Sequence, residues 1–157
     1  MIPRFGAPPL RGQRYTPRPG VYAVLRRRDE LLLTFEHAIE PEFQLPGGGM
    51  DPGESPLQAL HREVLEETGW TISRPRRMGA FRRFVFMPEY EMWAEKLCHI
   101  YCARPATRLG PPREAHHDAV WAPIDIAARL LGNPGDRSFV ARLRAARPVG
   151  DSVSRLT

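Results

Sequence analysis

Residues 47–70, GGGMDPGESPLQALHREVLEETGW, compress a glycine turn, a helix start, a helix and a helix stop into two dozen positions. Ser55 is a good N-cap, Pro56 suits the first helical position, and Gln58 falls at N3, which completes a capping box. Gly69 then ends the helix as a residue that tolerates the left-handed conformation. Four glutamates, Glu54, Glu63, Glu66 and Glu67, share this short span. Carboxylates at such density repel one another unless positive charge lies among them, and a hard divalent cation meets that need.

On a helical wheel Leu57, Leu60, Val64 and Thr68 share one arc, while Glu63, Glu66 and Glu67 occupy the neighbouring one. One face is expected to pack on a sheet while the next presents three carboxylates together. Ala59 falls beneath the acidic arc and adds no bulk there.

Outward from the helix the chain is rich in strand signals. Residues 1–19 are dense in Pro, Arg and Gly without periodicity and read as an extended arm. VYAVLR and LLLTF flank a charged turn and read as a pair of strands, followed by a short strand at FQLP. After Trp70, MGAFRRFVFMP and MWAEKLCHIYCARP are two more strands joined by PEYE. RLGPPREAHHD is a loop and AVWAPI a last strand. DIAARLL begins a helix with Asp125 as its cap, and DRSFVARLRAAR is a final amphipathic helix. Strands on both sides of a central helix imply an α+β chain, with a central mixed β-sheet between helices in an α/β/α sandwich.

The 157 residues suit one domain, with 42% hydrophobic and 26% charged residues. The expected division is an N-terminal arm over 1–17, a domain over 18–146 and a C-terminal tail over 147–157. No apolar run is long enough for a membrane span, and the first residues carry no signal-peptide core, so a cytoplasmic location is expected. The net charge of +5 raises nucleic-acid binding, but Lys96 is the only lysine among 23 basic residues. That bias, with 17 prolines, reads as a GC-rich coding signature and makes a nucleic-acid partner unlikely. Cys98 and Cys102 lie four apart on one face of a strand, too far to bond each other, and read as buried thiols. A zinc site joining them to His116 and His117 lacks a tight ligand pair.

Gly48, five residues, Glu54, seven residues and then Arg62-Glu63-Val64-Leu65-Glu66-Glu67-Thr68-Gly69-Trp70 resembles the Nudix box, G-x5-E-x7-R-E-U-x-E-E-x-G-U, where U is bulky and apolar. Every fixed position matches, and only Trp70 departs from the more usual aliphatic residue. The box covers 23 of the 157 residues; the W-x-P-x-D segment at 121–125 extends the resemblance to about 18–146. It implies Mg²⁺- or Mn²⁺-dependent hydrolysis of a nucleoside diphosphate linked to another moiety X. By the same resemblance Glu63, Glu66, Glu67 and a backbone carbonyl of Gly47 or Gly48 ligate metal, and Arg62 orients the carboxylates. Glu54 is either an auxiliary ligand or a charge complementing the helix dipole.

The general base is Glu63 or an acid on a loop after the box. Glu89, Glu91, Glu95 and Glu114 are the loop candidates, with Glu114, seven residues before Trp121, ranked first. His116, His117 and Asp118 share its loop. Substrate choice is only thinly written. Pro88 and Tyr90 lie slightly beyond the positions that mark known subfamilies. Phe84, Phe86, Tyr90 and Trp93 offer either stacking surface or core. Arg82 and Arg83 alternate in facing, so one of them points towards phosphates. Arg82, Arg83 and Tyr90 are therefore the candidate substrate contacts. The competing expectations are a regulatory module that binds a nucleotide without turnover and a pyrophosphohydrolase of RNA 5′ ends. The expected assembly is a monomer or homodimer.

Overall fold

Residues 21–25, VYAVL, show how the layers arise, because successive strand side chains point to opposite faces. Val21, Ala23 and Leu25 enter one buried cluster with Ala59, Leu60 and Val64, while Val24 enters another with Phe139, Val140 and Ala127. A strand apolar on both sides must lie between two layers.

The computed structural model describes residues 1–39 and 41–145. The expected tail over 147–157 lies outside the described residues. In order the elements are β1 (Thr16–Arg27), β2 (Glu30–Glu36), β3 (Glu42–Gln44), β4 (Gly47–Gly49), α1 (Pro56–Thr68), β5 (Trp70–Met87), a 3-10 turn (Pro88–Tyr90), β6 (Met92–Arg108), β7 (His117–Pro123), α2 (Ile124–Leu130) and α3 (Pro134–Ala145). The sheet runs β3-β2-β1-β6-β5, with β4 paired to β1 and β7 to β2. β1 and β6 are parallel from Thr16↔Ala94 to Leu25↔Ala103, and the remaining pairings are antiparallel. Helix α1 covers one face and α2 with α3 the other, so the chain is an α+β sandwich about a mixed sheet, as its pattern implies. Among the described residues no helix is long and apolar enough to cross a membrane.

The glycine turn is a short strand in the structure. Gly47, Gly48 and Gly49 pair with Tyr22, Val21 and Gly20. A Cβ on Gly47 would overlap the Val21 carbonyl oxygen, so only glycine lets β4 lie this close to β1.

Helix α1 begins and ends at the marked positions. Ser55 Oγ accepts from Gln58 N at 3.2 Å and Gln58 Oε1 accepts from Ser55 N at 2.9 Å. Gly69 has φ 77° and its N–H donates to the Leu65 carbonyl. The loop after β6 closes the same end: Leu109 N donates to Gly69 O at 2.8 Å and Arg113 N to Glu66 O at 2.8 Å. Carbonyls that a helix end leaves open are thus satisfied by the loop that carries Glu114. A Cβ at position 69 would overlap the Gly110 carbonyl oxygen. Gly69→Ala is therefore expected to cost at least about 1–2 kcal/mol of stability, read as a lower denaturation midpoint.

Several local expectations change. Leu57 is 43% exposed, and the buried arc of α1 is Ala59, Leu60, Val64, Glu67 and Thr68. The core side is thus rotated towards the acids, and Ala59 is part of the packed layer itself. The N-cap of α2 is Pro123, with Asp125 inside the first turn. α3 starts at Pro134, ahead of the expected DRSF. The N-terminal arm is docked: Phe5 N donates to Arg82 O and Arg82 N to Pro3 O, both at 2.9 Å, and Phe5 meets Phe81 edge to face. Cys98 and Cys102 are free thiols facing the α2–α3 layer, with burial pushing Cys98 up to about 12. The ligand groupings that include His116 or His117 contain neither cysteine, so the zinc site joining all four does not form.

Candidate active site

Arg62 organises the first half of the site. Its Nε and one terminal nitrogen grip Glu54 at 2.7 and 2.8 Å, and the other nitrogen reaches Glu63 Oε1 at 2.9 Å and Glu66 Oε2 at 3.2 Å. It also donates to the Gly49 carbonyl at 3.1 Å, which ties α1 to β4. The expected Arg62–Glu66 pair forms, but Glu54 is the stronger partner. Glu54 accepts from Asp51 N at 2.8 Å as well, and the Arg62 contact holds its carboxyl down near about 2. The fork geometry of guanidinium suits such a bidentate grip.

Glu63 and Glu67 are held differently. Burial pushes Glu63 up to about 7 despite Arg62, and burial likewise raises Glu67 against the Gly47 N–H that bonds it. Gly47 N donates to Glu67 Oε2 at 3.0 Å. A Cβ on Gly48 would lie 2.6 Å from Glu63 Oε2, so that glycine makes room for the carboxylate.

Glu114 joins the box acids. Ligand oxygens of Glu63, Glu66 and Glu114 lie within 4.8 Å of one another, as do ligand atoms of Glu67, Glu114 and His117. Buried or half-buried carboxylates in so oxygen-rich a grouping fit a hard divalent cation. Of the other loop acids, Glu89 lines the adjoining cavity, Glu95 lies 3.3 Å from Arg82, and Glu91 occupies the left-handed turn at φ 46°.

Beside these acids opens a cavity of about 370 Å³, within the size range of small-molecule sites. Gly47, Gly48, Gly49 and Glu67 form one wall; Arg18, Arg83, Lys96, Phe86 and Tyr90 form another. Arg83 thus faces the cavity, whereas Arg82 does not line it and turns to Glu95. The reason is the two-residue period of β5. Arg83 Nε is buried without a hydrogen-bond partner. Of the candidate aromatics, Phe86 and Tyr90 line the cavity, while Phe84 and Trp93 pack on Tyr15.

Four contributors escaped the sequence reading. Arg18, within the aperiodic stretch 1–19, lies 4.8 Å over the Tyr90 ring. Glu36, Lys96 and Asp136 come from β2, β6 and α3, and only tertiary pairing brings them here. The exchange of apolar for charged residues at buried strand positions was the one available signal. Asp136 is 4% exposed, accepts from Leu45 N, and is pushed by burial from 3.8 up to about 7. An acid whose folded pKa is raised binds a proton more tightly folded than unfolded. Its favourable contribution is present below about pH 4 and is lost as pH rises towards 7. Asp136→Asn is therefore expected to gain stability relative to the parent chain as pH rises from 4 to 7, and to hold that gain above it. Thermal melts across this range check the trend.

The comparisons with known proteins agree with this geometry. The family model for the NUDIX domain matches residues 16–143. A putative 8-oxo-dGTP diphosphatase of Bacillus subtilis is 32% identical over 74 residues, 47% of this chain and 50% of that protein. A CMP-5'-(N-acetyl-N-hydroxy-3-aminopropyl)phosphonate hydrolase of Streptomyces rubellomurinus is 32% identical over 120 residues, 73% of this chain and 55% of that protein. The chain thus spans about half the length of these curated relatives. A NUDIX hydrolase from Nitrosomonas europaea superposes with a TM-score of 0.69 at 21% identity, covering 90% of this chain and 98% of that one. With Glu54, Glu63 and Glu66 gathered on Arg62, Gly48 and Glu67 lining the adjoining cavity, and the family match running from β1 to α3, the chain belongs to the Nudix family.

Proposed function

We propose that the chain hydrolyses a phosphoanhydride bond in a nucleoside diphosphate linked to a second moiety, releasing a nucleoside monophosphate or an equivalent phosphorylated product. The observation that carries this reading is the junction of two chemistries: carboxylates of α1 and Glu114 adjoin a cavity walled by Arg18, Arg83 and Lys96. One set suits a cation and the other suits phosphate oxygens.

Glu63, Glu66, Glu67 and the Gly48 carbonyl would hold Mg²⁺ or Mn²⁺. When bound, that ion neutralises phosphate charge and eases ionisation of water. Arg62 fixes the direction of Glu63 and Glu66. Arg83, whose buried Nε lacks a partner, takes a phosphate oxygen, and Arg18 holds the Tyr90 ring as a stacking face with Phe86. Water oxygen forms the new P–O bond, the bridging P–O bond breaks with its electron pair on the leaving phosphate, and the water proton passes to Glu114 or Glu63. Glu114 suits this role because it is half-exposed and within reach of both Glu63 and Glu66.

The test is a panel containing 8-oxo-dGTP, CDP- and ADP-linked compounds, dinucleoside polyphosphates and 5′-triphosphorylated RNA, each with Mg²⁺ or Mn²⁺, with products resolved by chromatography. A monophosphate product from one soluble class supports the reading. Binding without product under either ion replaces it with a regulatory nucleotide-binding module; turnover confined to RNA replaces the substrate class.

A further inference from the structure

The acids of the site divide by their counter-charges. Glu54, Glu63 and Glu66 are paired to Arg62. Among the described residues, Glu36, Glu67 and Glu114 have only imidazoles within ion-pair distance. Glu36 and His117 are opposed Cα partners in the β2–β7 ladder, so the sheet itself sets them side by side. Glu36 Oε1 takes the Ala38 N–H at 2.6 Å, which leaves Oε2 directed at the histidines.

From Glu36 Oε2, His117 Nε2 lies at 3.1 Å and His116 Nε2 at 3.8 Å; from Glu114 Oε2 the same nitrogens lie at 3.3 and 3.8 Å. Two of these four separations, both from His116, exceed hydrogen-bond length. They match another geometry: ligands about 2.1 Å from a tetrahedral ion stand about 3.4 Å apart along each edge. Ligand atoms of Glu36, His116 and His117 all fall within 4.8 Å of one another. His117 Nδ1 is buried without a partner, so the polar groups that the ring meets, Glu36 and Glu114, lie on its Nε2 side.

We propose that Glu36, His116 and His117 form a second cation site beside the box carboxylates, selective for a borderline divalent ion of the Zn²⁺ or Co²⁺ type over Mg²⁺, with Glu114 between the two sites. Imidazole nitrogen suits such ions, whereas Mg²⁺ prefers oxygen alone. Glu36 and His117 are buried and form the floor; His116 is exposed, which leaves an open coordination position on the solvent side. The carboxylates of Glu63, Glu66 and Glu67 remain for the harder ion, so each set has its own chemistry.

The metal-free chain is titrated with Co²⁺ in the presence of excess Mg²⁺, and the visible d–d absorption and bound metal are read. The expected result is one Co²⁺ retained with the absorption of nitrogen ligation and displaced by Zn²⁺. His116→Ala, at an exposed position, is expected to weaken it by more than the about 10–100-fold typical of losing a mere supporting partner, with the same result for Glu36→Gln. Glu63→Gln is expected to leave it in place. Absence of Co²⁺ uptake under excess Mg²⁺ overturns the site. So does uptake that His116→Ala and His117→Asn leave unchanged while Glu63→Gln abolishes it, because the ion then sits on the box. Neither readout requires turnover, so failure here stands apart from failure of the hydrolase reading.

Discussion

Glu67→Gln is expected to lower turnover by about 10²-fold or more while leaving the fold at least as stable, a combination that a merely structural glutamate would not give. Gln keeps the oxygen that accepts the Gly47 N–H, so the tie between α1 and β4 survives. It removes a carboxylate whose charge burial disfavours and whose neighbours Glu63, Glu114 and Glu36 repel it. Relief of that repulsion should hold or raise the melting temperature without metal. The same neutral amide offers a cation no charge, and its NH₂ group faces where the ion would sit. A lost ligand should exceed the about 10–100-fold cost of a lost supporting partner. The check is kcat and KM with Mg²⁺, beside melts with and without the ion. Equal turnover by the two proteins removes Glu67 from the ligand set, and a collapsed melting curve would make the rate uninformative without the metal-shift comparison. In that comparison the parent chain gains stability with added ion and the variant gains little.

The parts of the site written in one short segment were legible before any coordinates. Ser55, Gln58 and Gly69 announce α1 because capping is decided within a few residues of chain, and the spacing of Arg62 to Glu66 is a helical spacing wherever it occurs. Glu114 is reachable only through its place seven residues before Trp121 in a chain that resembles the family; that its loop closes the end of α1 is visible only in the fold. Glu36 and Asp136 are not reachable: each reaches the cavity through strand pairing or helix packing that no local pattern encodes. The facing of α1 differs from its apolar pattern because Leu57, in the first turn, is exposed, while Glu67 is drawn inward by the Gly47 N–H. Charge that pairs with backbone is hard to tell from charge that meets water when only periodicity is available. The start of β1 at Thr16 is hidden for a like reason, since Thr16 to Arg18 sit among Pro, Gly and Arg that give no period.

Arg62→Lys is expected to reduce kcat by about 10–100-fold with a much smaller change in KM, even though the charge is kept. Arg62 makes five directed hydrogen bonds: two to Glu54, one each to Glu63, Glu66 and the Gly49 carbonyl. An ammonium group has three donors on one nitrogen and cannot span Glu54 on one side and Glu63 with Glu66 on the other. It will keep the strongest partner, and that is Glu54, whose carboxyl is held lowest. Glu63 and Glu66 are then left with mutual repulsion and no anchor, so their carboxylates leave the arrangement in which an ion and a water would be aligned. On the proposed reading, ground-state contacts to the nucleotide would come instead from the cavity residues Arg18, Arg83, Phe86 and Tyr90, which the substitution does not touch, and this is why KM should move little. Glu54→Gln provides the complementary arm. It loosens Arg62 without removing it, so its kcat should fall between those of the parent chain and Arg62→Lys. A Lys variant with full kcat would mean that charge alone organises these carboxylates; a loss carried by KM would place Arg62 against substrate and not behind the glutamates.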